Sequence, residues 1–185
     1  MIQQILSAYG LNENEFDIEP ITNGLINQTW RLTNSHDDYI LQKINNEVFK
    51  QPSAIASNLN VLADYLSQHA PDYLFVVPIK TKEHEEMAFI PGKGYFRLLP
   101  FVKKSHTINA AQTPEQAFEA AKEFGKFSRL LAHFPIHKLK ITVPDFHNLS
   151  LRYHQFSEAL INGNKDPDRT INTINSVYPG TQTHC

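Results

Sequence analysis

Cysteine is almost missing from this chain: Cys185, the last of 185 residues, is the one copy. No intrachain disulfide can form, and nothing argues for an oxidising compartment. Basic residues hold no majority, with 17 Lys and Arg against 19 Asp and Glu and a formal charge of -2. That balance speaks against a broad nucleic-acid footprint. Long apolar runs are absent, which excludes a membrane-spanning segment, and the opening MIQQILSAYG has neither the basic flank nor the apolar stretch of a secretory signal. The expected location is the cytoplasm, where the sequons Asn27-Gln28-Thr29 and Asn148-Leu149-Ser150 lose their glycosylation meaning. Repeats and low-complexity segments are missing too. What remains, 41% hydrophobic with 11% aromatic residues, is the composition of a folded protein rather than a disordered one.

Periodicity orders the first hundred residues. Ile2, Ile5, Leu6 and Tyr9 recur at helical spacing and Gly10 supplies a stop. Residues 26–33 and 39–44 are rich in β-branched and aromatic side chains and are separated by Asn34-Ser35-His36-Asp37-Asp38, which predicts a hairpin. After Pro52, the positions Ile55, Leu59, Leu62, Tyr65 and Leu66 predict a helix ending near Gln68. Strands are expected again over 74–79, 86–90 and 95–102, the last two joined by a turn at Pro91-Gly92-Lys93-Gly94. The expected order is helix, two strands, helix, three strands, in a mixed and mostly antiparallel sheet crossed by one long helix.

Two more helices follow. Thr113-Pro114-Glu115-Gln116 combines an N-cap threonine, a proline at the first helical position and a glutamine at the third. Ala117, Ala121, Phe124, Phe127, Leu130 and Leu131 form its expected buried stripe, and Pro135 its end. Residues 149–161 predict another helix with Tyr153, Phe156 and Leu160 inward. From Tyr178 to Cys185 there is no periodicity.

The segments NGLINQTWRL (23–32), YILQKINNEVFKQP (39–52), YFRLLPFV (95–102), EFGKFSRLLAHFP (123–135) and VPDFHNLSLRYHQF (143–156), in that order, resemble the aminoglycoside phosphotransferase and choline kinase superfamily. More narrowly they resemble the N-acetylhexosamine 1-kinase group, which phosphorylates sugars at the anomeric position with ATP. The resemblance runs from about residue 5 to about residue 162. It implies an α+β fold: a protein-kinase-like small lobe over residues 1–102, mostly antiparallel sheet with one crossing helix, then the first helices of the large lobe over 103–185, truncated.

In such kinases the hairpin at NGLINQTWRL covers the ATP phosphates, where a tight turn can meet oxygen atoms only if side chains stay small. Gly24 supplies a permissive backbone; by the resemblance, Asn27 and Thr29 present polar groups to the phosphates while Trp30 and Leu32 anchor the strands. The residues alone read rather as a plain β-turn, since one glycine does not make a phosphate loop. The next strand corresponds to the one whose lysine grips the α- and β-phosphates. Alternation puts Gln42 at that place and turns Lys43 to the other face, which leaves open which of them contacts phosphate; Lys43 also reads as a solvated strand lysine. Residues 53–66 hold no glutamate to pair with a lysine, and Asn58 is the candidate partner. The resemblance puts adenine against Pro100, Phe101 and Val102, a run that any buried strand could also show. His147, Asn148 and Arg152 become candidates for the sugar pocket, against the alternative that they cap and brace a helix. His133 and His137 have the spacing of a zinc helix, but Pro135 between them breaks it, so Mg²⁺ is expected only through ATP.

Phosphoryl transfer of this type needs an Asp to orient the acceptor hydroxyl, an Asn shortly after it and a second Asp for Mg²⁺. His36-Asp37-Asp38 meets the first half of H-x-D-x-x-x-x-N, but it lies in a turn and the Asn is lacking. The expectation is therefore the N-terminal portion of an ATP-dependent small-molecule kinase, acting on an N-acetylhexosamine or similar sugar, with no catalytic residue in this chain and no turnover by the chain alone. The alternative is a non-catalytic nucleotide-binding or interaction protein derived from a kinase lobe. Nucleotide and sugar are the expected partners, with no nucleic acid and no membrane. Self-association is expected through apolar faces of the helices at Pro114 and Phe156 that lack their usual neighbours.

Overall fold

In the computed structural model, which describes residues 2–22 and 24–163, the apolar spacing at the start of the chain becomes helix α1, Ile2–Ala8. Gly10, at φ +77°, ends it. Its N–H reaches Ser7 O at 3.2 Å and the Leu11 N–H reaches Leu6 O at 3.0 Å, the paired closure that a left-handed residue after a helix permits. Ile5 and Leu6 are fully buried.

Five strands follow: β1 (Asp17–Ile21), β2 (Gln28–Thr33), β3 (Asp38–Lys43), β4 (Ala88–Ile90) and β5 (Gly94–Pro100). They form one sheet in the order β1-β2-β3-β5-β4. Every ladder is antiparallel, so the mixed sheet expected from the sequence is corrected. Strand alternation divides the sheet cleanly. Leu32, Leu41, Phe96 and Leu98 point to one face and build the core with Ile5, Leu6, Ala88 and Ile90. Each such large apolar side chain contributes roughly 1.5–3 kcal/mol when removed from water. The opposite face carries Thr29, Arg31, Ile40, Gln42, Arg97 and Leu99, which the register sets side by side.

The turns use the residues expected of them. Asn34 Oδ1 accepts from the His36 and Asp37 N–H groups at 2.8 and 2.7 Å, closing the β2–β3 hairpin. Pro91-Gly92-Lys93 joins β4 to β5, with the Lys93 N–H on Ile90 O at 2.9 Å.

Two strand expectations need correction. β1 was not expected: Asp17-Ile18-Glu19-Pro20-Ile21 is poor in β-formers, yet it sits at the sheet edge, where a proline costs no ladder bond. Residues 74–79 form no strand. Ile79 alone bridges to Leu98, because Pro78 has no N–H to continue a ladder. The order is therefore helix, three strands, helix, two strands.

Helix α2, Pro52–His69, connects β3 to β4. Helix α3, Pro114–Leu130, starts as read: Thr113 Oγ1 accepts from the Gln116 N–H at 3.3 Å. The Gln116 side chain returns to the Gln112 N–H at 2.8 Å, one residue before the cap. The expected buried stripe is not buried. Phe124 is 73% exposed, Ala117 and Ala121 are exposed, and Phe127, Leu130 and Leu131 are half-buried; Phe118, outside that stripe, is 64% exposed. Only the C-terminal end of α3 and the segment after it find neighbours: Phe127 stacks on Tyr73 with centroids 5.9 Å apart, and Phe134 meets the edge of Tyr65 at 5.1 Å.

The chain divides into two compact units, Met1–Val143 and Pro144–Cys185. The second contains α4, Leu149–Gly163; Tyr153 and Phe156, expected inward, are 66% and 55% exposed. The sequence from Tyr178 to Cys185 lies outside the described residues. Among those described, no helix is long and apolar enough to cross a membrane.

Candidate functional site

β1, once recognised, puts Thr22 and residues 24–27 in the loop of the β1–β2 hairpin. Leu25 at its tip is fully exposed. Asn27 does not point outward: its Oδ1 accepts from the Asn45 N–H at 2.9 Å, and Asn45 Nδ2 donates to Ile26 O at 3.1 Å. This double tie fixes the foot of the loop to the chain leaving β3. At Gly24 the nearest atom to an added Cβ is Asn27 O at 3.4 Å, so a small side chain would fit there.

Beyond that foot, a polar row crosses three strands on the face away from the core. Thr29, Gln42 and Arg97 are direct ladder partners on β2, β3 and β5. Arg97 donates from Nε and Nη2 to the single Gln42 Oε1, at 3.0 and 2.6 Å. With its oxygen so occupied, the Gln42 carboxamide turns Nε2 to Thr29 Oγ1 at 3.2 Å. The threonine hydroxyl keeps its own proton to donate. Burial holds the Arg97 pKa below the usual arginine value. Among the described residues no carboxylate forms an ion pair with it.

Lys43 is on the other face, as alternation requires. It lines a cleft of about 560 Å³ with Gln28, Asn46, Glu47, Lys93 and Gly94. Asn58 reaches neither Gln42 nor Lys43. Its Nδ2 donates to Lys140 O and its Oδ1 accepts from the Lys140 N–H, both at 2.8 Å, so the amide serves as a backbone-like clamp on the segment after α3.

At the end of β5, Pro100 pairs with Tyr39. The Phe101 N–H donates to Asp38 O at 3.0 Å, and Val102 O accepts from the Ser105 N–H at 3.2 Å and from Ser105 Oγ at 2.6 Å. The Arg31 guanidinium lies 4.2 Å over the Phe101 ring and 3.2 Å from Asp38 Oδ2.

Within the second unit, Asn148 Oδ1 accepts from the Leu151 N–H at 3.0 Å and Nδ2 donates to Asp145 Oδ1 at 3.1 Å. Arg152 donates to Asp145 O at 3.3 Å and Gln155 Oε1 at 2.9 Å. Both brace the start of α4. His147 makes an edge contact with Phe146, centroids 4.9 Å apart. Among the described residues, no three His, Cys, Asp or Glu side chains converge in a way that could hold a metal ion.

Sequence reasoning missed Arg97 and Arg31. The signal was present: in Phe96-Arg97-Leu98 and Trp30-Arg31-Leu32 a charge interrupts two apolar neighbours, which by strand alternation sets it on the face away from the core.

No protein-family model matches the chain. Solved structures do. Spectinomycin phosphotransferase APH(9)-Ia, in complex with ADP and spectinomycin, matches 95% of this chain with a TM-score of 0.57 and 15% identity. A microcompartment-associated aminopropanol kinase matches 78% of it with a TM-score of 0.54 and 17% identity. The chain spans about half of their length, 53% and 42% respectively. At such identities the likeness establishes the fold, and the five-stranded antiparallel sheet with helix α2 is that of a kinase-like small lobe.

Proposed function

We propose that this chain is the N-terminal, nucleotide-holding portion of an ATP-dependent small-molecule phosphotransferase, with residues 1–102 as the nucleotide lobe and 103–185 as the start of a helical acceptor lobe. The observation that carries this reading is the succession of β1–β2 hairpin, β3, α2 and β4–β5 hairpin, in the order β1-β2-β3-β5-β4, together with its match to a phosphotransferase that was solved with ADP. Phosphates lie beneath the loop that contains Gly24 and Asn27, against Thr29 and Gln42. Adenine lies along Pro100, Phe101 and Val102, with Ile40 and Leu99 on the sheet face of Thr29 and Gln42. The polar row suits a polyphosphate, since it offers one hydroxyl proton, one amide and one half-buried cation that has no carboxylate partner among the described residues. The described residues do not suit Mg²⁺ directly, as they bring no acidic cluster together; the ion arrives on ATP.

The acceptor is an N-acetylhexosamine or a similar sugar, held near His147, Asn148 and Arg152. Five ordered sequence segments support that choice. The 185 residues offer no H-x-D-x-x-x-x-N, so these residues alone position nucleotide without transferring phosphate, because the oriented Asp supplies much of the rate in this chemistry. The same lack favours a second reading, a nucleotide-binding protein without catalysis.

Calorimetry with ADP and MgATP tests the common part. Binding is expected, with stabilisation of roughly 2.7 kcal/mol at a hundredfold excess over Kd; no heat and no shift at millimolar nucleotide would sink it. Radiolabelled ATP with N-acetylhexosamines, aminoglycosides and amino alcohols separates the rest. The 185-residue chain is expected to label none of them, while a longer reading of its coding sequence carrying the missing motif is expected to label the sugar at its anomeric oxygen. Labelling of another acceptor instead would overturn the sugar assignment.

A further inference from the structure

Resting on the reading that nucleotide phosphates meet the sheet face of Thr29 and Gln42, we propose that Arg97 on β5 is the cation that receives them, and that Gln42 is its positioning residue. At the strand positions of this face the cations are Arg31 and Arg97. Arg31 is already committed, to Asp38 at 3.2 Å and to the Phe101 ring. Arg97 has a neutral partner: both of its bonds go to one carboxamide oxygen, and Nη1 makes no hydrogen bond to any described residue. A half-buried cation beside a neutral amide has lost water without gaining a countercharge. An incoming polyphosphate supplies that charge and finds planar donors already fixed in direction.

The placement along the sheet agrees. Arg97 is the ladder partner of Gln42, which is the partner of Thr29, the second residue after the hairpin loop. The row thus runs from beneath that loop to the guanidinium. Lys43, the other charge available on β3, faces away and shares a cleft with Lys93 and Glu47. Helix α2 has no glutamate to steady a lysine, and none is needed, because Gln42 holds the arginine from within the sheet. Nη1, unbonded among the described residues, is the donor left for phosphate, while Nε and Nη2 set the orientation of the guanidinium.

The test compares ADP with adenosine on the full chain, by calorimetry or ligand-observed NMR, for the wild type, R97M and K43M. For R97M we expect a loss of roughly ten- to hundredfold in ADP affinity with adenosine affinity retained. ADP affinity preserved in R97M, or a loss carried by K43M instead, overturns the proposal while leaving the nucleotide reading intact. A wild type that binds neither ligand removes the nucleotide reading itself and this inference with it. Should R97M not fold, the wild type decides: ADP, but not adenosine, is expected to protect Arg97 from phenylglyoxal in a mass-spectrometric map, and equal labelling with and without ADP overturns the assignment.

Discussion

The Tyr9 hydroxyl donates to the Phe96 carbonyl at 2.8 Å and accepts from the Ala88 N–H at 3.2 Å, so the side chain that follows α1 stitches itself into the β4–β5 ladder. Burial drives its pKa up to about 12 from 10.0. The folded state thus favours the neutral phenol more than the unfolded chain does. That stability is complete below pH 10 and is lost as the pH rises toward 12, by roughly 2–3 kcal/mol in all. Urea melts between pH 9 and 11.5 should show the fall. Tyr9→Phe should lose about 1–2 kcal/mol at neutral pH, since it orphans two backbone groups, and should flatten that part of the alkaline slope. A slope unchanged by the substitution would assign it to other tyrosines, such as Tyr39, whose pKa is also raised by burial.

The β4–β5 turn contains two glycines with different demands. Gly92 has φ +73° and open space where a Cβ would go; Gly94 has φ +96° and Asn46 Nδ2 at 3.3 Å from that point. Alanine at 92 should cost about 1 kcal/mol, the ordinary left-handed penalty. At 94 it should cost roughly 2 kcal/mol or more, since that φ lies beyond the left-handed well and the asparagine must move. Equal midpoint shifts in denaturant would contradict this ordering.

Elements with strong local signals were legible in the sequence. α1, α2, the β2–β3 hairpin and the Thr113 cap each depend on spacing or on one capping residue, and these survive folding intact. β1 was not legible, because Asp17, Glu19 and Pro20 are tolerated only at an edge, and edge position is a property of the whole sheet. The failed strand at 74–79 is the reverse case, where apolar β-formers around Pro78 found one bridge instead of a ladder. Of the site, alternation separated Gln42 from Lys43, but nothing local could foresee Arg97 as the neighbour of Gln42, since 55 residues separate them. The Asn58 expectation failed for a similar reason: its partner, Lys140, is 82 residues away.

Asn58 makes its own prediction. Both halves of its amide satisfy Lys140, so Asn58→Ala removes a donor and an acceptor together and Asn58→Asp sets a carboxylate against the Lys140 carbonyl. Each should cost about 1–2 kcal/mol. The more specific readout is local: faster exchange of the Lys140 amide and faster tryptic cleavage after Lys138 and Lys140, with the sheet amides unaffected. Uniform acceleration across the chain would indicate global destabilisation instead.

The exposed rings of α3 can be replaced with little structural cost. Phe118 and Phe124 are mostly in solvent within the described structure, so Phe118→Glu and Phe124→Glu should shift stability by no more than about 0.5 kcal/mol. If that face mediates self-association, sedimentation velocity should show the double variant as a monomer at concentrations where the parent forms larger species. A large stability loss would mean that the rings pack against something in the native chain.

Gln42→Glu joins the two themes of stability and ligand binding. The carboxylate would keep both neighbours satisfied, accepting from Arg97 Nε and Nη2 and from a rotated Thr29 hydroxyl, and would convert a charge-to-amide contact into an ion pair. Stability should therefore hold or rise by up to about 1 kcal/mol near neutral pH. That gain should vanish as the pH falls through the folded-state pKa of the new carboxyl, which its arginine neighbour lowers. ADP affinity should move the other way and fall by roughly tenfold, because Arg97 would already have its countercharge. A variant that is more stable and binds ADP more weakly would identify the unneutralised arginine as the feature that phosphates seek; equal ADP affinity in the two proteins would show that they seek something else.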